Sequence, residues 1–161
     1  ALSTATVTSA ANATSNVGNY TLTASNQTMS TGLVGNYNIT YATGNLTVNP
    51  ADLTITANSA TKSYGVNTNL TAIGYVSNGL MNSETIGDVT LASAGAANTS
   101  GVASYNIAVS NASGGTFNIS NYNITYNNGT LTVNPANLTI TANSASTQYG
   151  LGTTLGNTAF T

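Results

Sequence analysis

Residues 121–136 read NYNITYNNGTLTVNPA, and their apolar and polar residues alternate. Alternation with a period of two indicates a half-buried β-strand, whereas a helix repeats its apolar residues about every 3.6 positions. The pattern is interrupted at Asn128-Gly129, the pair that a two-residue type I′ turn prefers. The stretch therefore predicts a β-hairpin with Gly129 at a positive φ angle and with Ile124 facing Val133 across the two strands.

The same stretch has an earlier copy in the chain. Residues 36–65 return, without gaps and with few changes, as residues 121–150, which sets a repeat period of 85 residues. Near-identity at a fixed period builds arrays of one unit rather than a single catalytic site. A β-solenoid does not fit, because its coils repeat every 20 to 30 residues or so. We therefore expect successive copies of one β-rich unit.

The two prolines of the chain divide these copies. Pro50 and Pro135 lie at the same place in the repeat, and proline cannot donate a hydrogen bond to a sheet, so strand pairing should be interrupted there. This predicts the C-terminal part of one repeat in residues 1–50, one complete repeat in residues 51–135, and the N-terminal strands of the next in residues 136–161. The expected fold class is all-β, with small β-sandwich-like domains, immunoglobulin-like or β-grasp-like, joined end to end.

A unit of this size can bury one small core. The expected members are the apolar residues of the complete repeat: Leu53, Ile55, Tyr64, Leu70, Ile73, Leu80, Ile86, Val89, Leu91, Tyr105, Ile107, Val109, Ile119, Tyr122, Ile124, Tyr126, Leu131 and Val133.

Charge is nearly absent from the chain. Lys62 is the only cation, Asp52, Glu84 and Asp88 are the only acids, and His and Cys do not occur. Acid/base and thiol chemistry need a positioned group that titrates near the working pH, so we expect no enzyme, no catalytic residue, no cofactor and no metal site. One lysine cannot displace the counterions of phosphates, which argues against nucleic acid. No run approaches the roughly 18 apolar residues of a membrane span, which argues against membrane insertion.

Several short motifs follow one another in a set order, and together they resemble a known repeat. They are LTITA at 53–57, SYG at 63–65, GLMNSET at 79–85, NYNITY at 121–126 and GTLTVNPA at 129–136. This succession resembles the mostly-beta, glycine-rich repeat called MBG, which occurs in large bacterial exoproteins and filamentous-haemagglutinin-like adhesins. The resemblance implies an extracellular, tandem, non-catalytic module at the bacterial cell surface. The proline that often follows the Tyr-Gly step of the family is missing after Gly65, and the chain has less charge than the family leads us to expect.

The chain is rich in Asn-x-Ser/Thr triplets, which are candidate glycosylation sites. A chain with this much Asn, Ser and Thr also produces such triplets by chance. Glycans would make an uncharged surface more soluble. The candidate asparagines are Asn12, Asn19, Asn26, Asn38, Asn45, Asn69, Asn98, Asn111, Asn118, Asn123, Asn128 and Asn137.

Three further candidates have ordinary explanations. Lys62 could form an isopeptide bond with an Asn or Asp, but a solvated lysine at a strand end is the favoured interpretation. Glu84 and Asp88 could contribute to a calcium site, yet two acids are too few for an ion that takes about six to eight oxygens. The hydroxyls of Thr54 and Thr56 could face ice or sugar, although threonine is also common on the wet face of a strand.

We therefore expect a structural and adhesive repeat of an extracellular bacterial surface fibre. Its expected partners are copies of itself, as neighbouring repeats or subunits, and host-surface or matrix glycans. A nearly uncharged surface does not repel its copies, and unpaired sheet edges accept strands, so filaments formed by strand sharing are also expected. The alternative is a carbohydrate-binding module of a secreted protein, whose tyrosines stack on sugars. The exposure of four tyrosines separates these functions: Tyr37, Tyr41, Tyr122 and Tyr126.

Overall fold

The protein is described by a computed structural model, which places residues 2–154 and 156. Ten strands make up most of its regular structure, so the predicted all-β class is confirmed. They are β1 (Leu2–Ser9), β2 (Gly18–Met29), β3 (Gly44–Val48), β4 (Ala51–Ala57), β5 (Ala60–Ser63), β6 (Tyr75–Asn78), β7 (Ile86–Ala92), β8 (Ala103–Gly115), β9 (Tyr122–Asn127) and β10 (Gly129–Asn134). A one-turn helix, α1, spans Leu70–Ile73, and two 3-10 turns span Val34–Asn36 and Ile119–Asn121. None of the helices among these described residues is long and apolar enough to cross a membrane.

Residues 51–134, which we call the complete unit, form two sheets. One sheet has the strand order β5-β10-β8-β7, and the other has the order β6-β4-β9. The main core cluster takes residues from both sheets, so the sheets pack against each other. Five larger side chains of the complete unit are fully buried, and all of them except Val133 belong to this cluster: Leu53, Ile55, Ile107, Leu131 and Val133. Burial of one such side chain stabilises a fold by about 1.5–3 kcal/mol, so this small core holds the sheets together.

Burial alternates along the strands, as the period-two pattern predicts. In β4, Leu53, Ile55 and Ala57 are buried while the residues between them are half-buried, and β10 alternates in the same way. The predicted core is wrong for Tyr64 and Ile119, which are 49% and 54% exposed. Tyr64 lies in the turn after β5, and Ile119 lies in the 3-10 turn before β9, so neither occupies an inward-facing strand position.

The predicted hairpin is wrong, because its two strands lie in different sheets. β9 pairs in parallel with β4, with Ile124 opposite Leu53. β10 lies in the other sheet, parallel to β5 and antiparallel to β8. Both strands still direct apolar residues into one core, but they do so from opposite sides. This arrangement places β10 between two strands, whereas a two-stranded hairpin is only marginally stable in water.

Gly129 is required for a different reason from the predicted one. Its φ angle is not in the positive region. The residue is buried, and a Cβ atom built on it would lie 2.6 Å from the carbonyl oxygens of both Ala57 and Asn58. The Asn128-Gly129 step is therefore a close crossing between the two sheets and not a type I′ turn.

Residues 2–48, which we call the first unit, repeat part of this architecture. Their sheet has the order β1-β2-β3, and β2 and β3 correspond to β8 and β10 at the offset of 85 residues. The same β-bulge occurs in both copies, with φ angles of 50° at Asn26 and 52° at Asn111. The hydroxyls of Tyr20 and Tyr105 each donate to the carbonyl oxygen four residues earlier, at 2.7 and 3.0 Å. The repeat in the sequence is thus a repeat in backbone geometry.

Candidate functional site

Two stretches of identical sequence have different structures. The hexapeptide NYNITY occurs at residues 36–41 and again at residues 121–126. The later copy enters β9, whereas residues 38–43 have no regular structure. Tyr122 is 8% exposed, but its counterpart Tyr37 is 57% exposed. The difference follows from strand pairing, because β9 pairs with β4, and none of the described strands pairs with residues 38–43.

This difference leaves an open groove in the first unit, with a volume of about 570 Å³. In the complete unit, the corresponding residues of β8 and β9 contact β4. The groove thus lies where β4 lies in the complete unit. Its walls are mainly apolar, and they are formed by Leu2, Ala5, Ala24, Gln27, Met29 and residues 37–42.

A hydrogen bond connects the two walls of the groove at the same repeat positions as in the complete unit, although its donor and acceptor differ. The hydroxyl of Tyr41 donates to Oε1 of Gln27. At the corresponding positions, the hydroxyl of Tyr126 accepts a hydrogen bond from the backbone N–H of Ala112 at 3.0 Å. Tyr41 is nevertheless 47% exposed, while Tyr126 is half-buried and packs on the core. The first unit therefore has the same contact between its strand and the following segment, but it exposes a tyrosine that packs on the core in the complete unit.

A second exposed segment carries the sequence of β4. Residues 138–145 repeat the sequence LTITANSA of residues 53–60. In this second copy, Leu138 is 82% exposed and Ile140 is 66% exposed, although their counterparts in β4 are fully buried. Residues 136–154, which we call the tail segment, contain no strand longer than a single bridge at Ala142. The tail segment therefore presents apolar residues that the repeat otherwise buries.

The joint between the first unit and the complete unit is short and held by side-chain contacts. β3 ends at Val48 and β4 begins at Ala51, so only two residues separate the strands. The side chain of Asn121 accepts a hydrogen bond from the N–H of Val17 at 2.9 Å and donates one to Oδ1 of Asn16 at 2.9 Å. An amide that both donates and accepts across a joint restricts the orientation of the two parts.

Sequence reasoning did not predict this role of Asn121. The available signal was the recurrence of Asn36 at Asn121, immediately before a tyrosine. That recurrence does not distinguish an asparagine at a joint from one that begins a strand. The joint also borders a cleft of about 140 Å³, which is lined in part by Glu84 and Tyr122.

Tyr122 and Glu84 form a polar contact beside that cleft. The tyrosine hydroxyl donates to Oε2 of Glu84 at 2.6 Å and accepts from the N–H of Met81 at 3.0 Å. Burial of the ring and, next, the hydrogen bond to Glu84 raise the pKa of Tyr122 above its ordinary value of 10.0. The contact fastens the loop before β7 to the first residue of β9, so its role is structural.

The interpretation of Lys62 as a solvated lysine is wrong. Lys62 is only 8% exposed. Its ammonium group donates to the carbonyl oxygens of Val66, Ala96 and Ala97, which lie in two different loops. A buried charge costs free energy unless it is hydrogen-bonded, and the three carbonyls meet that requirement. Thr147 occupies the same repeat position and donates to the carbonyl of Leu151, the counterpart of Val66, at 3.2 Å.

The acidic candidates Glu84 and Asp88 are engaged in local contacts, and the threonine candidates Thr54 and Thr56 are half-buried in β4. Glu84 accepts from Tyr122, and Oδ1 of Asp88 accepts from the N–H of Val89 at 2.9 Å. In the part of the chain that the structure describes, no three side chains of the metal-ligating types come together. Threonine hydroxyls of β1 and β2 bond one another across the strands at 2.6 and 2.9 Å.

All twelve candidate glycosylation asparagines are exposed. Two of them serve as helix caps, because the side chains of Asn69 and Asn118 accept hydrogen bonds from Thr71 and Ser120. Two others lie at the repeated β-bulge, at Asn26 and Asn111. Exposure permits modification at these positions, and modification itself stays a prediction.

Comparison with known families supports the resemblance found in the sequence. The family profile of the MBG domain (YGX type) matches residues 1–47 and 53–132. The tripeptides Tyr-Gly-Val at 64–66 and Tyr-Gly-Leu at 149–151 fit the Tyr-Gly-x of that description. Comparisons with curated proteins and with solved structures find no match. Because the matched residues cover most of the 161 residues, this chain belongs to the MBG domain (YGX type) family.

Proposed function

We propose that this chain is a structural and adhesive repeat of an extracellular bacterial surface fibre and that it performs no catalysis. The observation that carries the proposal is the joint between the first unit and the complete unit. Two residues link the strands, one of them is Pro50, and Asn121 bridges the two parts. A short link with a fixed φ angle leaves little slack, so repeats joined in this way form a stiff string.

The surface of the chain suits an extended extracellular protein. Its polar character comes from Asn, Ser and Thr, and the net charge is only −2. Such a surface hydrates well without strong repulsion between copies. The partners that we propose are neighbouring repeats or subunits of the same kind and host-surface or matrix glycans.

Absence of catalysis is part of the proposal. The chain has no His or Cys. Of its four charged residues, Lys62 and Glu84 are engaged in the structural contacts described above. General acid/base chemistry would need such a group free to exchange a proton with a substrate.

Surface labelling tests the proposed location. An antibody raised against the purified chain should label intact, unpermeabilised cells that produce the protein, and electron microscopy should place the label on surface material. Pre-absorption of the antibody with the purified chain provides the control. Label that appears only after permeabilisation would contradict the proposal.

A carbohydrate-binding module is a second candidate, because Tyr37 and Tyr41 lie exposed along an open groove. Aromatic rings on a groove can stack on sugars. Their counterparts Tyr122 and Tyr126 pack on the core, however. This favours the interpretation that Tyr37 and Tyr41 occupy core positions of the repeat rather than a sugar-binding surface. Binding to a glycan array that is lost in Tyr37→Ala and kept in Tyr64→Ala would favour this candidate.

A further inference from the structure

We propose that the cleft between the first unit and the complete unit binds one neutral sugar ring of a glycan. This cleft, which we call the joint cleft, has a volume of about 140 Å³. The inference rests on the proposed adhesive function, because it specifies the site at which the repeat contacts a glycan. The joint cleft is lined by other residues than the groove beside Tyr37 and Tyr41.

Side chains from both sides of the joint form the walls of the cleft. On one side lie Ser15, Val17, Val48 and Asn49. On the other side lies a tight turn, residues 81–84, which comes before β7. The link that contains Pro50 holds the two sides close together, so the cleft is a part of the folded joint.

The turn at residues 81–84 has a strained backbone. The N–H of Glu84 donates to the carbonyl oxygen of Met81 at 2.9 Å, and the two residues between them have φ angles of 51° and 58°. A residue with a side chain rarely adopts such angles, and they persist only where the surrounding contacts fix them. The hydroxyl of Tyr122 supplies those contacts, because it bonds both Met81 and Glu84. The turn is therefore fixed before a ligand arrives, which lowers the cost of binding.

The polar groups of the joint cleft match the hydroxyl groups of a sugar. Glu84 is half-buried, and its bond with Tyr122 uses Oε2, so Oε1 is available to accept a hydrogen bond. The side chains of Asn49 and Asn82 are exposed, and an amide both donates and accepts. A sugar hydroxyl likewise donates and accepts, so neighbouring hydroxyls on one ring fit a carboxylate beside amides.

The size of the cleft and its apolar walls suit a single ring. Val17, Val48 and Met81 line the cleft, and Met81 is 52% exposed. Such side chains can pack against the C–H groups of a pyranose ring. Pockets for drug-sized ligands have volumes of about 300–1,000 Å³. A cleft of about 140 Å³ therefore holds one ring and leaves the rest of a glycan outside.

The charge of the cleft favours a neutral sugar over an acidic one. Glu84 is the charged residue of its lining. Lys62, the only cation of the chain, is bound to carbonyl oxygens of other loops. A sugar that carries a carboxylate or a sulfate would meet a like charge and no cation, and like charges repel more strongly in a partly buried site than in water.

One side of the joint cleft recurs along the chain. Ser15, Val17, Val48 and Asn49 return, with identical residue types, as Ser100, Val102, Val133 and Asn134. Asn16, which lies between two of them, returns as Gly101, so the recurrence is not that of an unbroken copy. A repeated weak site gains avidity when several copies meet one glycan-covered surface.

An NMR titration tests the site. The ¹⁵N-labelled chain is titrated with the methyl glycosides of glucose, galactose, mannose and N-acetylglucosamine. We expect at least one probe to shift the amide signals of Asn49 and of residues 81–84, with saturation in the millimolar range. No saturable shift at the joint cleft with any of these probes would overturn the proposal. Shifts confined to residues 37–42 would also overturn it and would favour the groove instead.

Two variants test the polar groups of the cleft. Glu84→Gln keeps an oxygen that can accept from Tyr122 and replaces the other oxygen by a donor, so affinity for the bound probe should fall several-fold. Asn49→Ala removes an exposed amide outside the described core and should also weaken binding several-fold, with an unchanged melting midpoint. Asp88→Asn is the matched control, because it removes the same charge from β7 and should bind like the wild type. Wild-type affinity in both cleft variants would refute the site.

A charged probe tests the role of Glu84 separately. Each methyl glycoside that binds is compared with the corresponding uronide, in which a carboxylate replaces the hydroxymethyl group. We expect the uronide to bind several-fold more weakly, and the difference should shrink in Glu84→Gln. Equal or tighter binding of the uronide to the wild type would contradict the preference for a neutral sugar.

Failure of the site and failure of the proposed function have different signatures. Surface label on intact cells, together with no shift at the joint cleft, would retain the surface repeat and reject the sugar site. Saturable shifts at the joint cleft, together with label that appears only after permeabilisation, would retain the sugar site and reject the surface function.

Discussion

The hydroxyl of Tyr122 donates a hydrogen bond to Oε2 of Glu84 at a distance of 2.6 Å. The hydroxyl oxygen of Tyr122 accepts a hydrogen bond from the N–H of Met81, and the tyrosine ring lies 6.2 Å from the ring of Phe117, centroid to centroid. Tyr122 is also the first residue of β9, the strand that pairs with β4. The side chain of Tyr122 therefore connects the loop before β7 to the core and to the paired strands β4 and β9.

Removal of this hydroxyl should destabilise the chain. In Tyr122→Phe the N–H of Met81 and the carboxylate of Glu84 lose a partner in a half-buried site, which costs about 1–3 kcal/mol in the free energy of unfolding. Urea unfolding monitored by circular dichroism measures the change. Tyr37→Phe removes the hydroxyl of an exposed ring and should be neutral. A loss of the same size in both variants would contradict the structural role of the contact.

The same contact predicts a dependence on alkaline pH. Burial and the hydrogen bond to Glu84 raise the pKa of Tyr122 in the folded chain above 10.0, so the folded state holds the proton more tightly than the unfolded state. The contribution is complete below about pH 10 and is lost as the pH rises through the folded-state pKa. The melting midpoint should fall more steeply above pH 10 in the wild type than in Tyr122→Phe. Parallel curves would show that Tyr122 is not the residue responsible.

Gly129 should tolerate no side chain. Because a Cβ atom there would lie 2.6 Å from two carbonyl oxygens, Gly129→Val should destabilise the complete unit by roughly 1–3 kcal/mol through overpacking. Gly129→Ala should already show part of this cost. Gly101→Ala is the control, since the nearest atom to a Cβ at Gly101 is 4.0 Å away. A neutral Gly129→Ala would indicate that β4 and β10 separate easily at this crossing.

Lys62 should contribute to stability as a hydrogen-bond donor. Lys62→Met keeps the aliphatic stem and removes the donor to three carbonyl oxygens, so we expect a loss of roughly 1.5–3 kcal/mol. Hydrogen exchange should increase in residues 94–98 and 64–67, the two loops that the ammonium group connects. Thr61→Ala, an exposed change on the same strand, is the control. Unchanged exchange in both loops would contradict the assignment.

Residues 51–135 should fold when they are produced alone. Both sheets of the complete unit and all members of its main core cluster lie within this range. We expect a single cooperative transition in urea and a β-type circular dichroism spectrum. A disordered chain that folds only when residues 1–50 or 136–161 are present would show that the unit depends on its neighbours.

Strand content follows from local sequence, but strand partners do not. Period-two alternation, frequent Thr, Val and Ile, and the repeat period identify β-strands and the repeated unit without any structure. The hairpin prediction failed because register across Asn128-Gly129 was argued from adjacent residues alone. Ile124 instead pairs with Leu53, which lies far upstream in the chain, and no local pattern specifies such a distant partner.

The sequence by itself determined the all-β class, the repeat and the near absence of charge. Only the tertiary structure decided which copy of a repeated motif forms a paired strand and which copy lines an open groove. In the hexapeptide NYNITY, Tyr122 of the later copy is buried and Tyr37 of the earlier copy is exposed, because burial depends on a second segment pairing with the hexapeptide. The same reason separates Leu53 from Leu138. Burial and strand hydrogen bonds need two segments that lie side by side. Identical sequences therefore differ in structure and exposure wherever their partner segments differ.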